Sequence, residues 1–160
     1  MIKKIFNHFG YTFSKIKKSN TIIDIIKLRL KNNKCNILID IGANKGDFAI
    51  KFLNTFQKTF LIEPNPKLIR GLEQRFIDDI NYKIFNCGID IKNAIKKFYI
   101  TSDTGSTLSS IKKQKEILKK TLKKTDITSV KNIKFYRLDF FLKNKIRKND
   151  SIFLKIDSQG

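Results

Sequence analysis

An aspartate and two glycines follow the first apolar segment of the chain, and they are the strongest chemical signal in the sequence. Asp40 lies in the run NILIDI, and Gly42 and Gly46 follow it within six positions. Glycines in a turn after a parallel strand let a ligand approach the backbone closely, and an adjacent aspartate can accept a hydrogen bond from an ammonium group. The spacing therefore predicts a ligand-binding turn. The alternative is a tight turn that binds nothing.

A second carboxylate stands at the end of the next apolar segment. Glu63 follows KTFLI, where a carboxylate can accept two hydrogen bonds from a ribose diol. Cys87 and Gly88, at the end of the third predicted strand, are placed to flank an adenine. S-adenosylmethionine combines an amino acid, a ribose and an adenine without a phosphate. The G-x-x-x-G spacing favours such a ligand, because it matches neither the pyrophosphate fingerprint nor the Walker pattern.

Strands and helices alternate around these residues. Short apolar runs are typical of strands covered on both faces of a parallel sheet. They are NILIDI, KTFLIE, YKIFNCG and DSIFLKID, the last ending at Asp157. Helical spacing predicts helices in NTIIDIIKLRLKNN, along the stripe of Phe48, Phe52, Leu53 and Phe56, and from Pro66 to about Asp78. The pattern predicts a doubly wound α/β sheet with right-handed crossovers.

The segment after Asp90 is less regular. IKKFYIT alternates like an antiparallel strand, and a loop rich in Ser, Thr and Gly follows it. SSIKKQKEILKKTLKK predicts a strongly basic helix, which is either a patch for an acidic substrate or a solvated helix face. IKFYRLDFFL is interpreted as a further strand leading to a turn.

Composition limits the classes of protein that this chain can represent. Its 160 residues are enough for one core of ordinary size, and 34 Lys and Arg against 14 Asp and Glu give a formal charge of +20. Such a charge attracts phosphates, nucleic acid and anionic membranes. The lysines are spread along the chain without an arginine cluster, however, which also fits a compositional bias. No specific nucleic-acid partner is therefore expected.

Cysteine content and the amino-terminal segment bear on location. Cys35 and Cys87 are too few and too far apart for a disulfide framework or a metal knuckle, which favours a reducing, cytoplasmic compartment. The first twenty residues have no apolar run long enough for a signal peptide or a membrane span. They predict a helix that either packs on the domain or makes weak contact with an anionic membrane surface. His8, in this segment, is expected to have no chemical role.

Four blocks, in the same order and at comparable separations, resemble the FkbM family of S-adenosylmethionine-dependent methyltransferases. The blocks are LIDIGANKGDFAIKF, FLIEPNP, RLDFFL and FLKIDSQG. The resemblance implies a class I methyltransferase (Rossmann-like) doubly wound sheet, with Asp40, Gly42, Asn44 and Gly46 in the cofactor loop and Glu63 on the ribose. Because family members methylate hydroxyl groups, mostly on sugars, polysaccharide or glycolipid precursors, the acceptor is expected to be a small molecule or a glycan.

The resemblance also gives Asp157 a role, at the end of the fourth strand beside the transferred methyl group. We expect it to act as a base or to orient the acceptor; the alternative is a carboxylate that hydrogen-bonds the cofactor loop. A divalent metal at this aspartate is conceivable, but nothing in the sequence requires one, and none is expected. One departure from the family blocks is Phe140, at a place where an acidic residue is common, which leaves Asp139 as the only carboxylate of that block.

The family sheet has seven strands, which sets an expectation for the extent of the domain. The chain ends at Gly160, just before an expected acidic residue and before the last three strands. We therefore expect a helical segment over 1–34 and a partial S-adenosylmethionine-binding domain over 35–160, incomplete at the carboxyl terminus. An edge strand would then be left uncovered, so we expect a fragment that is poorly stable and inactive alone.

Two other classes of protein remain open from the sequence. A nicotinamide-dependent oxidoreductase would use the same type of sheet and the same Glu63, although the glycine spacing disfavours it. A basic nucleic-acid-binding module would account for the net charge. The sequence does not reveal the acceptor or the oligomeric state.

Overall fold

The computed structural model describes residues 22–101 and 127–157. The predictions for the amino-terminal segment with His8, for the Ser/Thr/Gly-rich loop after Thr101 and for the basic helix concern residues outside these ranges. Contacts divide the chain into two units, Met1–Lys34 and Cys35–Gly160. In the first unit the helix predicted before the first strand is confirmed as α1, Ile22–Asn33.

The second unit contains seven strands in the part of the chain that the structure describes. They are β1 (Ile37–Ile41), β2 (Lys58–Ile62), β3 (Tyr82–Phe85), β4 (Gly88–Ile89), β5 (Ala94–Thr101), β6 (Ile127–Tyr136) and β7 (Ile152–Ile156). Four of them form an all-parallel sheet in the order β3-β2-β1-β7. The predicted α/β, Rossmann-like sheet is thereby confirmed, and its register places Asp40 beside Leu61 of β2 and Lys155 of β7.

A smaller three-stranded sheet holds β4, β6 and β5, in that order. The predicted antiparallel strand IKKFYIT is confirmed as β5, which pairs antiparallel with β6 and has a register shift between Ile100 and Thr101. The third predicted strand is corrected, because YKIFNCG does not continue as one element. It ends at Phe85, and Gly88 begins β4 in the other sheet.

The helices of this unit are shorter than the apolar spacing predicts. The stripe after the glycine turn forms a single 3-10 helix, Ala49–Phe52, and Leu53 is exposed. Its other members serve packing instead, since Phe48, Phe52 and Phe56 surround the ring of Phe153 with centroids 6.2 to 6.3 Å away. This aromatic cluster removes apolar surface from water without requiring a longer helix.

Two further helices belong to this unit, one after β2 and one after β6. α2, Pro66–Arg75, begins as predicted: Pro66 occupies its first turn, and the side chain of Asn65 caps it by accepting from the Lys67 N–H at 3.1 Å. α3, Leu138–Leu142, lies where the sequence indicated the end of a strand and a turn. The predicted strand is confirmed, since IKFY forms the end of β6. The predicted turn is wrong, since LDFFL is a short helix that buries Phe141 and Leu142 against the main sheet.

The main core lies on the face of the parallel sheet that α3 covers. Its buried members are Ile37, Ile39, Ile41, Phe60, Ile62, Cys87, Phe141 and Leu142. The last predicted strand is confirmed as β7 but is only partly buried, since Leu154 is 40% and Ile156 is 61% exposed. Within the described residues β7 pairs on one side alone, with β1, which leaves its apolar side chains partly uncovered.

Candidate cofactor site

The turn after β1 carries three residues with left-handed backbone conformation. Gly42, Asn44 and Gly46 have φ of 75, 51 and 80°. The N–H groups of Gly42 and Ala43 donate to the carbonyl of Ile62, at 2.9 and 3.1 Å, so the turn is fastened to the end of β2. Asparagine tolerates this conformation better than most residues, a signal that could have identified residue 44 without a family resemblance.

Gly46 has a second reason to be glycine. A Cβ atom there would lie 2.7 Å from Cε2 of Phe76 and 3.1 Å from Cδ2 of Leu72. The ring of Phe76 cannot easily retreat, since it stacks on Tyr82 with centroids 4.2 Å apart. The predicted glycine is therefore required by packing as well as by φ, and the turn lies close against the end of α2.

Glu63 lies directly after β2, and its carboxylate joins two loops. Oε2 accepts from the Asn44 N–H and Oε1 from the Asn65 N–H, both at 2.8 Å, and the residue is 6% exposed. Burial raises the pKa of this carboxyl above its ordinary value, and the two backbone hydrogen bonds oppose that effect. Each oxygen accepts one bond and keeps a free lone pair, which is the capacity that a ribose diol requires.

Asp40 is placed differently from the sequence expectation. It lies inside β1, its side chain is fully buried, and the ammonium that it faces belongs to Lys155, with Oδ1 3.0 Å from Nζ. Neither carboxylate oxygen has a hydrogen bond of good geometry, so the contact is an ion pair. Burial raises the pKa of Asp40, while the charge of Lys155 lowers it. Contact between Asp40 and a ligand ammonium stays a prediction.

Buried polar side-chain atoms without hydrogen bonds concentrate around this turn, although Asp40 Oδ1 among them is ion-paired with Lys155. Asp40 contributes both carboxylate oxygens, Asn44 contributes Oδ1, and Asn65 contributes Nδ2; all are buried and lack hydrogen bonds. A buried polar atom without a partner costs roughly 1–3 kcal/mol, which makes such a cluster unusual unless a ligand or water satisfies it. The oxygens of Asp40, Asn44 and Glu63 are acceptors and Nδ2 of Asn65 is a donor. Together they fit the hydroxyl, amino and carboxyl groups of S-adenosylmethionine.

The third-strand end, predicted to flank an adenine, has a more structural character. Gly88 is buried, and a Cβ atom there would lie 2.1 Å from Cε1 of Phe135, its partner on the neighbouring strand β6, so packing within the small sheet already demands glycine. Cys87 is buried too, and burial raises the pKa of its thiol to about 11. It lines a cavity of about 480 Å³. The other residues of that cavity are Ile84, Phe85, Asn86, Tyr136, Phe140, Phe141 and Lys145.

Asp157 follows β7 at the same edge of the sheet. Its N–H donates to the Ile41 carbonyl at 3.0 Å, and its side chain is 77% exposed. Oδ2 lies 3.6 Å from Nζ of Lys155. An exposed carboxylate with one nearby cation is free to meet an acceptor, although its catalytic role stays a prediction. Asp139 is also exposed and pairs with Arg137, outside this group of residues.

Sequence reasoning missed two residues of the site. Asn65 supplies a backbone donor to Glu63, and its position before Pro66 is a helix-cap signal that could have found it. Lys155 interrupts the apolar run FLKI, and a charge inside a buried strand is itself a signal that a partner must exist.

The described residues contain neither a cluster of metal-ligating side chains nor a membrane-spanning helix. No group of three or more His, Cys, Asp and Glu in residues 22–101 and 127–157 could hold a metal ion. In the same ranges, no helix is long and apolar enough to cross a membrane.

The site therefore lies where parallel α/β sheets bind cofactors, at the carboxyl ends of β1 and β2. Residues 40–160 match the methyltransferase FkbM domain, which is most of the second unit. The chain belongs to the FkbM methyltransferase family, and the resemblance of its sequence blocks is confirmed.

Parts of this chain are similar to other proteins. Two relatives are 30% identical over 129 residues, the ribosomal RNA small subunit methyltransferases A of Mycoplasma mycoides subsp. mycoides and Mycoplasma capricolum subsp. capricolum. Each match covers 75% of this chain, which spans 45% of the length of either relative. The crystal structure of methyltransferase FkbM from Methylobacillus flagellatus KT has 15% identity and a TM-score of 0.46, covering 79% of this chain and 26% of that one.

Proposed function

We propose that this chain binds S-adenosylmethionine at the turn after β1 and that the protein transfers its methyl group to a hydroxyl oxygen. The observation that carries the proposal is Glu63, a buried carboxylate fixed by the N–H groups of Asn44 and Asn65 beside the glycine turn. The carboxylate joins two loops and keeps acceptor capacity on both oxygens at the edge of the sheet where a ribose would bind. Family membership supports the same cofactor.

Each site residue has a defined part in this proposal. The bound cofactor supplies a methyl group already activated on a sulfonium. Glu63 accepts from the ribose diol, and Gly42 and Gly46 let the backbone approach the ligand. Asp157, exposed at the end of β7, orients the acceptor hydroxyl or takes its proton. The protein's contribution is mainly proximity and alignment, because the leaving group needs no further activation.

The proposed acceptor is a sugar, polysaccharide or glycolipid hydroxyl. This choice rests on the family resemblance, whose members act on such hydroxyls. A second candidate is RNA, favoured by the two relatives named as ribosomal RNA methyltransferases and by the charge of +20. The two acceptors differ in salt response, since binding to a nucleic acid through phosphates weakens steeply as salt rises.

Cofactor binding can be tested by calorimetry with S-adenosylhomocysteine, with NADH as the competing ligand for the oxidoreductase alternative. We expect the wild-type chain to bind the first and not the second. Glu63→Gln should bind about 10- to 100-fold more weakly, because a charged hydrogen-bond acceptor is lost. Glu73→Gln is the matched control, since Glu73 lies on the exposed side of α2 and should bind like wild type.

Glu63→Gln also leaves one of the two backbone donors without an acceptor, so its stability must be measured alongside its affinity. A readout that needs no variant is the amide NMR spectrum of the wild-type chain. Addition of S-adenosylhomocysteine should shift the N–H signals of Asn44 and Asn65, while those of Lys97 and Asn132 in the small sheet stay unchanged. Shifts confined to the small sheet would contradict the proposed site.

The acceptor can be tested with radiolabelled methyl transfer from S-adenosylmethionine. Incorporation into oligosaccharides or glycolipids at moderate salt supports the glycan proposal. Incorporation into ribosomal RNA that survives at moderate salt supports the RNA candidate and contradicts the glycan one. Asp157→Asn should reduce transfer while cofactor affinity is retained, and equal loss of both would contradict an acceptor-side role.

A further inference from the structure

Lys155 occupies the junction between the glycine turn and Asp157. Its ammonium lies 3.0 Å from Oδ1 of Asp40, donates to the carbonyl of Gly42 at 3.1 Å and lies 3.6 Å from Oδ2 of Asp157. The side chain is only 18% exposed, and Nζ lies 5.7 Å from the ring centroid of Phe48. One cation thus contacts the strand, the turn and the acceptor-side carboxylate.

The register of the sheet brings this lysine to its partners. β1 and β7 pair in parallel with Lys155 beside Asp40, so both side chains point to the same face. An unpaired charge buried as deeply as Asp40 is very costly, and one lysine ammonium has three hydrogens with which to satisfy several acceptors. The hydrogen bond to Gly42 adds a contact that neutralising Asp40 alone would not require.

We propose that Lys155 is a positioning residue, which holds the Gly42 carbonyl and the Asp40 carboxylate in the geometry that cofactor binding requires and keeps Asp157 beside them. This inference deepens the proposed function and rests on it. Lys155 acts through the turn and does not touch the transferred group. A lysine that served only as the counter-ion of Asp40 would have no effect once Asp40 is neutral.

A background without the Asp40 charge separates these two roles. We compare Asp40→Asn with the double variant Asp40→Asn and Lys155→Met, each in the 160-residue chain, by calorimetry with S-adenosylhomocysteine. Loss of the Gly42 contact should weaken binding by about fivefold to tenfold in the double variant relative to the single one. Lys96→Met is the matched control, because Lys96 in β5 is also partly buried and is ion-paired with Asp90, which lies between β4 and β5; it should bind like wild type.

A second variant guards against a double variant that does not fold. In Lys155→Arg the charge is kept, but the planar guanidinium has a different length and donor geometry. The thermal unfolding midpoint of Lys155→Arg should equal that of wild type. Its affinity for S-adenosylhomocysteine should fall about fivefold. Affinity within twofold of wild type for Lys155→Arg, or equal affinities for the single and double variants at Asp40, would overturn the proposal.

Hydrogen exchange separates this inference from the proposed function itself. If the wild-type chain does not bind S-adenosylhomocysteine, the proposed function fails, yet the backbone of the turn can still be examined. Lys155→Arg should accelerate amide exchange across 42–46 by about fivefold or more, and Lys96→Met should leave it unchanged. Unchanged exchange across 42–46 in Lys155→Arg would show that the lysine does not position the turn.

Discussion

Replacement of Gly46 by alanine should destabilise the chain strongly, although it adds a single methyl group. The residue has φ of 80°, and its Cβ would lie 2.7 Å from Phe76 Cε2. The left-handed backbone costs an alanine about 1 kcal/mol relative to glycine, and inserting a methyl against a packed ring costs about 1–3 kcal/mol. We expect the free energy of unfolding to fall by about 2–4 kcal/mol.

The matched control is the same substitution at Gly71, where the expected sign is opposite. Gly71 lies inside α2, and a Cβ atom there would meet nothing within 4 Å. Alanine is a better helix former than glycine, so Gly71→Ala should raise the free energy of unfolding by about 0.5–1 kcal/mol. Both values come from urea denaturation monitored by circular dichroism, with the slope of the transition compared to confirm equal exposure on unfolding.

The two contributions at Gly46 can be separated by shrinking the opposing ring. In the double variant Gly46→Ala and Phe76→Leu, the clash is relieved and the backbone cost remains, so the effect of the alanine in the leucine background should fall to about 1 kcal/mol. A loss below about 1 kcal/mol for Gly46→Ala alone, or an unchanged loss in the leucine background, would refute the packing of this turn against α2.

Three further measurements test the site and its supports. Burial raises the pKa of Glu63 above its ordinary value of 4.5, so the ligand-free protein is stabilised by the protonated acid below pH 4.5 and loses this contribution as pH rises through the raised pKa. Binding of S-adenosylhomocysteine needs the carboxylate, so its affinity should fall as pH drops through the raised pKa of Glu63. Calorimetry across pH should show no such fall in Glu63→Gln. The thiol of Cys87, with its pKa raised to about 11, should react with a disulfide reagent at neutral pH far more slowly than the partly exposed Cys35, and equal rates in the folded chain would contradict its burial. Tyr82→Phe removes a 3.0 Å hydrogen bond to the Ala49 carbonyl and should cost about 1 kcal/mol by urea denaturation, whereas a neutral effect would mean that water replaces the hydroxyl.

The residues of the glycine turn and Glu63 could be predicted because their signals are local. Gly42 and Gly46 indicate a backbone with positive φ, which other residues rarely adopt. An acidic residue after an apolar run indicates the end of a strand. Lys155 could not be assigned in the same way. Its partner is 115 residues away in sequence, and only the pairing of β1 with β7 brings them together. The errors in helix length have a similar origin, since Phe153 was needed to explain the stripe after the turn.

Charge and apolar surface together determine which register β7 can take. One face of the β1–β7 pair carries Asp40 and Lys155, and the opposite face carries Ile39 and Ile152 against the main core. Since side chains alternate along a strand, a slip of one residue would place Lys155 among the isoleucines and leave the Asp40 carboxylate buried without a cation. The slip would also move Asp157 away from the end of β1. The ion pair therefore specifies the same register that brings the acceptor-side carboxylate to the turn, so the sequence features that select the fold also assemble the site.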